Sequence, residues 1–68
     1  MRLATLETAN FSFLALGATT EEAKTAMKKA WATHKRQYKA TDTWLDVCED
    51  VHYTTIEPGQ ALRDGECL

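Results

Sequence analysis

The spacing of apolar positions changes twice along this chain, and each change marks an element. From Ala23 onward, Ala23, Met27, Ala30, Trp31, His34 and Tyr38 fall at offsets of 0, 4, 7, 8, 11 and 15, a stripe about 100° wide at helical period. Thr19 stands three residues before Glu22. That is capping-box spacing: the hydroxyl accepts from first-turn amides, the carboxylate reaches back, and Glu21 and Glu22 suit the positive end of the helix dipole. These signals predict a helix from Thr20 to near Lys39, ending before Thr41.

On either side the period shortens. Phe11-Ser12-Phe13-Leu14-Ala15-Leu16 is aromatic and apolar and stops at Gly17, which predicts a strand entering a tight strand-to-helix turn. Phe11, Phe13 and Ala15 share one face and Ser12, Leu14 and Leu16 the other. Both faces are largely apolar. Arg2 to Leu6 also has strand-forming residues, and Thr8-Ala9-Asn10 turns it back as a hairpin in preference to one bent strand. After the helix, Val51 to Ile56 alternates as a strand and ends at Pro58-Gly59, so a second hairpin is expected, with Gln60 to Arg63 as its return strand and Asp64-Gly65 as a further turn. Trp44 to Cys48 fits a short helical turn or a loop pinned by Trp44.

The sum is an α+β domain of β(β)αββ order, one helix on one face of a small antiparallel sheet. One helix covers one sheet face. Either Leu14 and Leu16 or Phe11 and Phe13 must therefore point to the other, so that face is either solvated at some cost or used as an interface, and dimerisation or partner binding is the economical reading.

Length and composition narrow the class. The 68 residues form a single domain, 1–68, and 44% hydrophobic with 26% charged content belongs to a folded globular chain. The longest apolar run, Phe13 to Leu16, is far short of the roughly 18 residues of a membrane span. The N-terminus lacks a basic region followed by an apolar core of secretory length. A soluble, cytoplasmic protein is expected, with Cys48 and Cys67 as free thiols.

Charge is segregated sharply. Residues 23 to 39 carry Lys24, Lys28, Lys29, Lys35, Arg36 and Lys39 and no acid; residues 40 to 68 carry Asp42, Asp46, Glu49, Asp50, Glu57, Asp64 and Glu66 against Arg63 alone. A net +6 is followed by a net −6, hidden within an overall charge of −2. Such fields bear on association.

Catalytic and metal chemistry find little support. His34, His52 and Cys48 have no metal-ligand spacing, and His34 sits on the apolar stripe. Cys48 lies among acids that raise a thiol pKa, and Cys67 is next to the terminus, a mobile place for a nucleophile. The acid pairs Glu49-Asp50 and Asp64/Glu66 lack the loop of a calcium site. No cofactor is implied and no enzyme is expected, since no nucleophile, base and orienting group assemble.

Two binding readings remain. The favoured one uses Asp46, Glu49, Asp50, Glu57, Asp64 and Glu66 as a carboxylate surface for a protein partner, a basic nucleic-acid-binding protein in particular. The alternative is a nucleic-acid-binding module acting through Lys24, Lys28, Lys35 and Lys39, weakened by the absence of interleaved exposed aromatics. Against both stands mutual neutralisation of the two blocks within the fold. The small, acidic, cofactor-free format is similar to that of short phage-encoded inhibitors, anti-CRISPR proteins among them, a resemblance of format across the chain. It implies a non-catalytic inhibitor that covers the surface of a nucleic-acid-handling machine.

Overall fold

The computed structural model describes residues 1–63 and 66–68, apart from the Cys67 side chain. Its order is β1 (Arg2–Glu7), β2 (Ser12–Gly17), α1 (Thr20–Tyr38), α2 (Trp44–Val47), a 3-10 turn (Cys48–Asp50), β3 (His52–Thr55), β4 (Leu62–Arg63) and β5 (Glu66–Cys67). No described helix is long and apolar enough to cross a membrane.

The first hairpin forms as its sequence predicts. The Thr8 amide donates to the Phe11 carbonyl at 2.8 Å, and the Thr8 hydroxyl accepts the Phe11 amide at 3.0 Å. From this turn β1 and β2 run antiparallel with Leu6 opposite Phe13 and Ala4 opposite Ala15. The other side of β1 is taken by β3, also antiparallel, giving strand order β2-β1-β3.

The pairing of β3 with β1 corrects one expectation. Gln60 to Arg63 does not return along β3. The Pro58-Gly59 turn does form, with Gly59 at φ 89° and the Gln60 amide donating to the Glu57 carbonyl at 3.1 Å. Beyond it the chain leaves the sheet, and Leu62–Arg63 pairs with Glu66–Cys67 instead. Leu62 then lines the same groove as Leu3 and Leu14. Covering apolar surface outweighs a few more ladder bonds, each of which water replaces at a net cost of only about 1 kcal/mol. The expected turn residues Asp64 and Gly65 lie outside the described residues.

α1 lies on one face of the sheet. The Thr19 hydroxyl accepts from the Glu22 amide at 3.2 Å, which caps the helix where expected; the return bond from the Glu22 carboxylate is not made among the described residues. Lys39 ends the helix in the left-handed region, φ 53°. The core gathers Ala4, Leu6, Ala15, Ala23, Met27, Trp31, Val47 and Val51, with Phe13, Trp44 and Tyr53 packed against it. So Phe13 and Ala15 face inward, and Leu14 and Leu16 face out. Trp31, 3% exposed, meets Phe13 edge-on at 5.8 Å between ring centres. Its indole N–H donates to the Asp42 carbonyl at 3.1 Å, tying the link between α1 and α2 to the helix.

Candidate interaction surfaces

The alternation of β1 places Ala4 and Leu6 under the helix and Leu3, Thr5 and Glu7 on the opposite, open face. Register completes that face. Leu3 stands between Leu16 and Thr54, Thr5 between Leu14 and His52, and Glu7 beside Ser12. Leu3, Thr5, Glu7, Leu14, His52 and Leu62 border an open groove of about 810 Å³; Leu16 lies beside it on the same face. Leu3, in the central strand, is buried, whereas Leu14 is 70% and Leu16 51% exposed. Leu3, Thr5 and Leu62 were not singled out from sequence, and His52 was weighed there only as a metal ligand, although the alternation of β1 opposite Leu14 and Leu16 carries that signal.

The acidic residues do not gather into one patch. Asp46 belongs to α2, and Glu49 and Asp50 to the 3-10 turn, all exposed. This group leads into His52, which is paired with Thr5, and so sits toward the hairpin-turn end of the sheet. Glu57 follows Thr55, which is paired with Arg2, and so sits at the other end. Glu66 lies on the separate β4–β5 ribbon, and Asp64 is outside the described residues. Asp46 has structural work of its own: its carboxylate accepts from the Thr43 amide at 2.8 Å and the Thr43 hydroxyl at 2.9 Å. These bonds, the backbone one foremost, hold its pKa below the usual aspartate value; desolvation opposes them, and the field of Lys35 adds the smallest lowering effect.

The basic row is more continuous. Lys24, Lys28 and Lys39 are exposed and Lys35 is half-buried. The field of Lys35 on Asp46 and the Trp31 bond to Asp42 place this flank of α1 on the side of α2. Lys35 and Asp46 are where the two charge blocks meet. Among the described residues, Arg2 donates to the Thr20 and Thr55 hydroxyls and Arg36 to the Thr33 hydroxyl.

The candidate ligands His34, His52 and Cys48 are kept apart. His34 is buried among Phe11, Phe13, Trp31 and Tyr38, with ring centres 4.9, 5.1, 5.1 and 5.1 Å away. His52 is on the open face, across the sheet. The Cys48 thiol is unpaired and donates to the Leu45 carbonyl at 3.5 Å. Among the described residues no three or more His, Cys, Asp or Glu side chains converge as a metal site would require. Tyr38, expected within the core stripe, is 59% exposed; it closes the end of the aromatic cluster against Phe11.

No protein-family model, no curated protein and no solved structure matches this chain.

Proposed function

We propose that this is a non-catalytic binding protein that works by covering the surface of a protein partner, with the open sheet face as its contact surface. The supporting observation is the exposure of Leu14 and Leu16, side by side on that face, next to the groove that Leu3, Leu14 and Leu62 line. Glu7 borders the same groove. A face that is apolar at its centre with one acid, Glu7, at its rim suits a partner that offers apolar residues beside a lysine or arginine, as nucleic-acid-handling proteins do. In that setting the protein acts as an inhibitor by occupying a surface meant for phosphates.

The test is capture of a purified basic partner by wild type, by Leu16→Lys with Glu7→Lys, and by Lys24→Glu with Lys28→Glu and Lys35→Glu. The first variant should lose capture while keeping its melting temperature, and the second should keep it. The opposite outcome would favour the second reading, in which the lysine row of α1 binds nucleic acid. The continuity of that row supports it: no acid follows Glu22 on the helix. Retention on heparin that falls steeply with salt would then appear in wild type and vanish in the lysine variant.

A further inference from the structure

β2 is an edge strand. In an antiparallel ladder the backbone groups of successive residues point to alternate sides. The Thr8–Phe11 bond sets the phase, so Phe11, Phe13, Ala15 and Gly17 turn their N–H and C=O groups toward β1. The Ile56 amide bond to the Met1 carbonyl, 2.9 Å, confirms that phase from the far side of β1. Ser12, Leu14 and Leu16 are left with their backbone groups directed outward. Edges are ordinarily guarded by charge, proline or a bulge. Ser12–Gly17, SFLALG, has no charge and no proline, and it pairs with β1 residue for residue without a bulge.

The helix above that edge carries no lysine on the flank nearest it, where Ala26 and Ala30 are half-buried and Thr33 and Gln37 exposed. Lys24, Lys28, Lys35 and Lys39 occupy the flank on the α2 side, so helical geometry assigns Ala26, Ala30, Thr33 and Gln37 to the flank above the β2 edge. Their spacing of four, three and four residues is that of a helix-packing seam. The small side chains of Ala26, Ala30 and Thr33 let a second helix approach to about 8 Å, with the uncharged Gln37 at the end of the seam. The Arg36 guanidinium leans onto this flank through its bond to Thr33 at 3.3 Å, and Glu22 stands at the flank's other end.

We infer that a second copy of this chain pairs through the β2 edge, strand antiparallel to strand with the twofold axis at Leu14, and helix beside helix along the Ala26/Ala30/Thr33/Gln37 seam. A twofold at Leu14 sets Leu14 opposite itself and Ser12 opposite Leu16. These are the residues whose backbone groups point outward, and together they give about six ladder bonds, two per facing pair. The helices fit the same axis independently. Gly17 abuts Glu22 and Ala23, and Phe11 packs on His34 and Tyr38. At about 1.5 Å per helical residue and about 3.3 Å per strand residue, Leu14 is level with Lys29 and Ala30. The axis therefore places Ala26 beside Thr33 of the second copy, and Glu22 within reach of its Arg36, twice over by symmetry. Sheet, seam and charge share one axis, which identifies the occupant as another copy and not an unrelated strand. The open face stays free for the proposed partner and becomes continuous across the two copies.

Sedimentation equilibrium up to several hundred micromolar should give twice the 7.6 kDa of one chain. Leu14→Pro removes an N–H that the monomer does not use, so it should leave the circular dichroism intact and give a monomer. Thr33→Arg, at an exposed helix position, should do the same. Glu22→Arg should weaken association roughly tenfold, and adding Arg36→Glu should restore it. In hydrogen exchange the amides of Leu14 and Leu16 should slow as concentration rises, while those of Phe13 and Ala15 stay slow throughout. A wild-type monomer at every concentration overturns the proposal, as does a dimer that persists in folded Thr33→Arg or whose Leu14 and Leu16 amides exchange as fast as in the monomer. Partner capture by the folded Thr33→Arg monomer is read separately: Thr33 lies on α1, away from the open face, so capture that persists in that monomer, or fails in a wild-type dimer, tells the two proposals apart.

Discussion

Gly17 is the position where a single methyl group best tests how α1 is seated. An ideal Cβ there would overlap the Ala23 amide nitrogen and lie 2.9 Å from the Glu22 carbonyl carbon and Cβ. Two of those three atoms are backbone, so no side-chain rotation relieves the contact; the first turn of the helix has to lift off the strand. Two effects oppose each other in Gly17→Ala. Removing a glycine restricts the unfolded chain and favours folding by about 0.4–1 kcal/mol where the backbone conformation is acceptable. Gly17 has no positive φ, so this gain applies. Overpacking a close contact costs about 1–3 kcal/mol, with the upper end expected where backbone must move. The clash wins, and a net loss of about 1–2 kcal/mol follows. For 68 residues at about 0.05–0.15 kcal/mol each, that is a sizeable fraction of the whole stability.

Thermal melts by circular dichroism should show the midpoint falling by about 4–8 °C per kcal/mol lost. Urea titration followed by tryptophan fluorescence, for which buried Trp31 supplies a signal, should show a lower midpoint at unchanged slope. Gly59→Ala is the contrast. Its added Cβ meets nothing within 4 Å, yet its φ of 89° is one that alanine resists, so it costs about 1 kcal/mol through backbone strain alone. The two separate in Gly→Ser variants: further loss at 17, where space is lacking, and no further loss at 59. A Gly17→Ala protein as stable as wild type would refute the close seating of α1 on the end of β2.

Trp31→Ala should cost about 3–5 kcal/mol and leave little folded protein; Trp31→Phe, which keeps the ring stack but loses the bond to Asp42, should remain folded at a cost of about 1–2 kcal/mol in urea melts. Thr19→Ala, which removes the acceptor for the Glu22 amide, should cost about 1 kcal/mol by the same assay. Asp46→Asn should be mildly destabilising in a pH-dependent way. The folded-state pKa of Asp46 is depressed, so its contribution is present above the unfolded value of about 3.9 and is lost as pH falls through the lower folded value. Urea midpoints of wild type and variant should differ at pH 7 and converge below about pH 4; a constant gap would mean that the Thr43–Asp46 bonds do not depend on the carboxylate charge.

What could be read in the sequence was what is decided locally. The ends of α1 were legible because a threonine three residues ahead of a glutamate and a lysine at the close are short-range signals. α2 carried the same signal at Thr43 and Asp46 and could have been read with it. Strand pairing was less legible, because it depends on residues far apart in the chain. Val51 to Ile56 has no mark that says its neighbour will be β1 and not the segment after Pro58-Gly59. The inward face of β2 was undecided for a different reason: Phe11, Phe13 and Ala15 are scarcely more apolar than Leu14 and Leu16. The aromatic set won because it fits against Trp31 and His34, a condition visible only once the helix is docked.

The segregation of charge follows from the topology. A strand, a helix on one face and a parallel strand two places over make a right-handed crossover. The chain leaving α1 must therefore come down on one particular flank of the helix, and the lysine row lies on that flank. Acids that follow the helix in sequence return beside it in space, which is why Lys35 acts on Asp46, yet α2 is too short to reach Lys24 and Lys28 at the other end. Among the described residues the two blocks thus approach each other at one turn, and Lys24 and Lys28 stay exposed. The opposite flank has the reverse requirement. A helix side that must approach its own copy tolerates no row of like charges and favours short side chains at its middle, and there the sequence has Ala26, Ala30 and Thr33, with uncharged Gln37 at the end. The bases of α1 sit where the acids return and away from where the second helix would pack, so one partition of charge serves both the fold and the proposed assembly.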